Sequence, residues 1–92
     1  MTLDGLRCFC ALVETGSFRR AAEQVFRSQP AVSQQIKALE REMGQVLVDR
    51  RTGRPSAQGQ TLHARAAAIL RAVDALAREM ADQDGANTGE LR

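Results

Sequence analysis

The sequence has no tryptophan and no tyrosine, and three phenylalanines bring aromatics to only 3%. A core without large rings is aliphatic, built here from Leu, Val, Ile, Met and Ala, a set that suits packed helices. No apolar run is long enough to span a bilayer, so no transmembrane helix is expected. Two cysteines make no disulfide scaffold and point to a reducing compartment. Met1 leads straight into amphipathic sequence with none of the regions of a signal peptide. A soluble cytoplasmic protein, or a piece of one, is expected. There is one histidine, no glycine-rich phosphate loop, no acid pair and no metal-ligand cluster in the sequence. No enzyme activity, cofactor or metal is expected.

What is present is a 92-residue chain with 43% apolar residues, enough for one compact domain with an extension. Charge is uneven. Residues 1–56 carry nine Lys/Arg against six Asp/Glu, and residues 57–92 four against five. A mildly basic first half hints at a polyanionic partner.

Three short helices open the chain. In the first, Thr2 serves as N-cap, Asp4 sits in the positive first turn and Gly16 ends it. Leu3, Leu6, Phe9, Cys10 and Val13 form its apolar face. Cys8 and Cys10 diverge by about 200° on a helix, so they share no metal; Cys10 is expected in the core and Cys8 semi-exposed. Ser17 caps a short second helix, whose Ala21, Ala22 and Val25 let a neighbour approach closely. Arg19 and Arg20 lie near its start. The third helix follows after only Phe26 to Ser28. Ser28 caps it, Pro30 falls in the first turn where a missing N–H costs nothing, and Gly44 ends it.

On this third helix Val32, Ile36, Leu39 and Met43 make one buried stripe. The opposite face carries Pro30, Gln34, Lys37 and Arg41, flanked by Ser33 and Ala38. A solvated face is usually rich in Glu and Lys. This one offers amides, a hydroxyl and small apolar groups, the chemistry that reads base edges in a major groove. Two short helices with a tight turn and this face form a helix-turn-helix pattern. Beyond it, Val46, Leu47 and Val48 suit a short strand. Arg50, Arg51 and Arg54 cluster around the Thr52-Gly53 turn as a cationic projection suited to phosphates or a narrow minor groove.

A long helix capped by Ser56 completes the chain. Leu62, Ala66, Ile69, Val73, Leu76 and Met80 step by alternating fours and threes, a coiled-coil seam that either packs back on the first helix or meets a copy of itself. A dimerisation seam is the favoured reading, because the stripe runs further than the first helix can cover. His63, on the same helix, is expected in a surface or seam role. The polar end, ADQDGANTGELR, reads as a hinge or a frayed terminus.

The stretches FCALVETGSFRRAAEQV and SQPAVSQQIKALEREMGQVL, the arginine-rich wing and the Ser-Ala-Gln-Gly that opens the last helix follow one another in order. Together they resemble the N-terminal DNA-binding segment of LysR-type transcriptional regulators, over residues 1 to about 82. The resemblance implies a mainly α fold: a winged helix-turn-helix of three helices and a short β wing, then a long dimerisation linker helix. It divides the chain into a DNA-binding domain at 1–56, a linker helix at 57–82 and a hinge at 83–92. The hinge would lead to an effector-binding domain that lies outside this chain and would take any small-molecule inducer. It implies double-stranded DNA as partner, homodimers, and tetramers in the full-length protein. The base-contacting positions fall on Gln29, Pro30, Ser33 and Gln34, with Ala31 close by. Lys37, Arg50, Arg51 and Arg54 match phosphate or groove contacts. Three residues depart from the family pattern. Arg27 stands where an apolar residue is usual, with Phe26 expected to take over its packing. Val48 stands where Phe is common, and Pro55 shortens the wing. The competing reading is a dimerising interaction module with a degenerate helix-turn-helix, which would have no reason to keep Gln and Ser outward beside three arginines.

Overall fold

Four helices make up the fold: α1 (Leu3–Thr15), α2 (Phe18–Val25), α3 (Gln29–Met43) and α4 (Ala57–Ala86). The computed structural model describes residues 1–86. The caps are those expected from the sequence. The hydroxyls of Thr2, Ser17 and Ser28 accept from the backbone N–H of Gly5, Arg20 and Ala31 at 2.9, 3.2 and 3.2 Å. Gly16 and Gly44 close α1 and α3 at φ +70° and +68°, where a side chain would be strained.

α1 is the hub. It packs against α2, α3 and α4, so its buried arc is far wider than one stripe. This corrects the expectation for Cys8, which is fully buried rather than semi-exposed, while Leu3 lies out near the helix start in solvent. Burial pushes the thiol of Cys8 up, with Asp4 adding to the rise and Arg27 opposing it. Cys10 is pushed up to about 11, first by burial and then by the nearby Glu14 carboxylate. Both thiols are therefore protonated at neutral pH.

The turn between α2 and α3 is tight because Phe26 adopts the left-handed conformation at φ +59° and the Arg27 N–H reaches back to the Ala22 carbonyl at 2.9 Å. Phe26 does not take over any packing. The residue is 92% exposed, since the left-handed backbone turns it away from the core. Arg27 holds the turn by another route, pairing with Asp4 of α1 at 2.7 Å.

The expected wing strand is reduced to one antiparallel bridge, Val48 with Pro55. Pro55 has no N–H to extend a ladder. The turn does not project freely, because Gly53 is buried and a Cβ built on it would lie 3.0 Å from the Gly16 carbonyl oxygen. α4 runs through Ala86, four residues into the segment expected as hinge; the GELR end lies outside the described residues.

The junction between wing and α4 is unusually close. The Ser56 N–H donates to the Leu47 carbonyl at 2.8 Å, its hydroxyl donates to the Val46 carbonyl at 2.7 Å, and it accepts from the Gly59 N–H at 3.0 Å. A Cβ on Gly59 would lie 2.1 Å from the Leu47 carbonyl oxygen. Gly59→Ala gains about 1 kcal/mol of helix propensity. The clash is with backbone and wins, so a net loss of about 1–3 kcal/mol is expected. Urea unfolding of the two proteins checks this: a midpoint that rises would show the junction to be soft.

Candidate nucleic-acid interface

Val32, Ile36 and Leu39 are buried against the core, which turns the other side of α3 outward. On that side Gln29, Pro30, Gln34 and Lys37 are exposed, and Ala31 and Ser33 half-buried. The start of α3 stands beside the start of α2 and the wing. Phe18, Gln29, Pro30, Ser33 and Arg50 line one shallow depression. Four of the expected base- or groove-contacting residues are thus adjacent in space. Lys37 borders a second shallow surface with Gln34, Ala38 and Arg41, a turn further along the helix. Arg19 and Arg20 are exposed on α2, and Arg19 pairs with Glu23 of the next turn at 3.2 Å.

The three wing arginines are not equivalent. Arg50 folds back onto α3 instead of projecting. Its guanidinium pairs with Glu40 at 2.9 Å, approaches the Ser33 hydroxyl at 3.5 Å and sits 5.8 Å above the centre of the Phe18 ring. Arg51 and Arg54 remain exposed, and their turn is stiffened locally. The Arg51 N–H donates to Asp49 at 2.8 Å and the Arg54 N–H to the Thr52 hydroxyl at 3.2 Å.

Glu40 was not singled out in the sequence, where it is one of several charges on a helix flank. Its carboxylate accepts from the backbone N–H of Leu47 at 2.8 Å and Val48 at 3.3 Å, besides pairing with Arg50. One side chain thus ties the start of the wing to the last turn of α3.

The expected seam on α4 is divided. Leu62 and Ala66 are taken up by the core of the same chain. They are joined there by Leu70, which the seam did not include. Arg7 with Asp74 at 3.0 Å and His63 with Glu14 at 3.2 Å flank this antiparallel contact between α1 and α4. Val73 is half-buried. Ile69, Leu76 and Met80 are 44%, 57% and 51% exposed and form an open apolar face. The cause is length: α1 has 13 residues and α4 has 30.

Among the described residues no helix is long and apolar enough to cross a membrane. Fold and site define a helix-turn-helix module with a short wing and a long trailing helix. The family described as bacterial regulatory helix-turn-helix protein, lysR family, matches residues 3–60. The chain belongs to the LysR family of bacterial regulators. It is 39% identical over 92 residues to a probable RuBisCO transcriptional regulator of Cyanidioschyzon merolae, covering 98% of this chain and 30% of that protein. It is 43% identical over 92 residues to the SDS degradation transcriptional activation protein of a Pseudomonas species, again over 98% of this chain and 30% of the relative. Among solved structures, the BenM DNA-binding domain in complex with catB site 1 DNA matches with a TM-score of 0.83 at 34% identity. That match covers 92% of this chain and 96% of the other. The chain thus spans about 30% of the length of these two curated relatives.

Proposed function

We propose that this chain is the sequence-specific DNA-binding segment of a transcriptional regulator and works as a homodimer. The N-terminal half of α3 enters the major groove, where Gln29, Ser33 and Gln34 read base edges and Pro30 and Ala31 make apolar contacts. Lys37, Arg51 and Arg54 meet the backbone or the adjacent minor groove, and Arg50 braces the wing against α3 while facing the same groove. The exposed Ile69–Met80 face of α4 pairs with its copy. Residues 1–56 are the recognition unit, 57–82 the dimerisation helix and 83–92 the link to an effector-binding domain that takes the inducer and supports tetramers. The observation that carries the reading is the outward face of α3, polar but weakly charged, set beside a cationic turn. The BenM complex with DNA, at 34% identity, supports it.

The test is discrimination between sequences. A site recovered from a random oligonucleotide pool is titrated with the parent and with Gln34→Ala. The variant is expected to lose about 1–3 kcal/mol on the selected site, with preference relaxed at one base pair. Equal losses on selected and scrambled duplexes remove Gln34 from base reading. The wing makes a separate prediction. Arg51→Ala or Arg54→Ala weakens all sequences alike and lowers the slope of log K against log salt by about one unit. Slopes unchanged in both variants exclude phosphate contact by these residues.

A further inference from the structure

The fold brings together three residues that are scattered in sequence. Cys10 and Glu14 lie one turn apart on α1, and His63 reaches them from α4. The thiol sulfur, one carboxylate oxygen and one imidazole nitrogen all lie within 4.8 Å of one another. The His63 Nε2 and Glu14 Oε2 atoms are already 3.2 Å apart. We propose that Cys10, Glu14 and His63 form a binding site for a divalent ion of the zinc class, clamping α4 onto α1. This goes beyond the DNA-binding reading and does not rest on it.

The geometry and the donor set both favour such an ion. Tetrahedral zinc with bonds of about 2.0–2.3 Å holds its ligand atoms about 3.3–3.8 Å apart. The His63–Glu14 pair at 3.2 Å already has that spacing, and the distances to the Cys10 sulfur, at most 4.8 Å, close by up to about an ångström through rotation of the solvent-reachable His63 and Glu14 side chains. One sulfur, one nitrogen and one oxygen donor suit a borderline-soft ion and not magnesium or calcium, which take oxygen. Cys10 is a buried thiol, while His63 and Glu14 are reachable from solvent, so the ion enters from the Glu14 side and keeps a water as fourth ligand. On binding, Cys10 releases its proton to solvent and coordinates as thiolate. Cys8 faces a different side of α1 and takes no part, which supplies a control within the same helix.

The test uses the reduced, metal-free 92-residue chain titrated with cobalt(II) and zinc(II). Cobalt is expected to give a thiolate-to-metal charge-transfer band in the parent and in Cys8→Ser, and to lose it in Cys10→Ser. His63→Ala changes a partly exposed side chain and leaves the core intact. It should weaken cobalt binding by more than the about 10–100-fold that loss of a mere supporting partner costs. Zinc should raise the thermal midpoint of the parent and leave that of His63→Ala unchanged. No band in the parent overturns the proposal. So does a band that depends on Cys8, or one that survives His63→Ala undiminished; in those cases Glu14 and His63 are a hydrogen-bonded pair beside a bystander thiol.

Discussion

Leu76→Asp is expected to give a monomer with its helices intact and DNA affinity reduced by about 10²–10⁴-fold. Leu76 is 57% exposed in the single chain and lies between Val73 and Met80 on the open face of α4. A charge there costs a monomer almost nothing, because water reaches it. In a dimer each carboxylate would be buried in the seam, and burying an unpaired ionised group costs several kcal/mol. The affinity loss follows from giving up the linked second half-site and its effective-concentration gain of about 10²–10⁴. Leu76 is a cleaner site than Val73, which is half-buried, so that its replacement would strain the chain's own packing as well. Sedimentation and circular dichroism on the same samples, followed by titration with the selected duplex, give all three readouts. A dimer that persists at the parent's strength would put the contact on another surface.

Glu40→Ala is expected to cost about 3 kcal/mol of stability and to loosen the wing. Glu40 is 17% exposed on its side chain and holds three donors, two of them the N–H groups of the buried Leu47 and Val48. Each N–H left unpaired in a buried segment costs about 1–3 kcal/mol, and bonds to a charged acceptor are worth about 1.5–3. The three share one carboxylate, so their values do not add. Arg50 loses its anchor at the same time and swings away from Ser33 and Phe18. Glu40→Gln keeps an oxygen acceptor without the charge and should fall between parent and alanine. Denaturant midpoints rank the three proteins. If the alanine variant unfolds within about 0.5 kcal/mol of the parent, the range of an ordinary surface substitution, the carboxylate is a spectator and the wing is held by Gly53 and Ser56 instead.

Much of the fold was legible because the signals are local. Ser, Thr and Gly at helix ends act within one turn, and each of Thr2, Ser17, Ser28, Gly16 and Gly44 caps the helix it was assigned to. The buried stripe of α3 was legible for the same reason, since Val32, Ile36 and Leu39 follow the helical period. Errors arose where a residue's neighbours come from far along the chain. Cys8 is outside the stripe of α1 yet buried, because three helices surround that helix. Phe26 looked like a core residue and is the most exposed large side chain of its turn, because backbone conformation sets its direction. The end of α4 was placed too early because Asp, Gln and one Gly are weak helix breakers, the Gly costing only about 1 kcal/mol.

By itself the sequence determined the four helices, their caps, the inward stripe of α3 and membership of a winged helix-turn-helix class, because capping and periodicity are short-range and repeat every few residues. Tertiary structure alone decided how the apolar residues of α4 divide between the chain's own core and the open face. It decided that Arg50 turns back to Glu40 while Arg51 and Arg54 stay exposed, that Gly59 sits where no Cβ fits, and that Cys10, Glu14 and His63 converge. Each of these depends on contacts between residues 10 to 53 positions apart in the chain or on the finite length of one helix against another. Periodicity tells which way a side chain points from its own axis; only the packing of the axes tells what it meets.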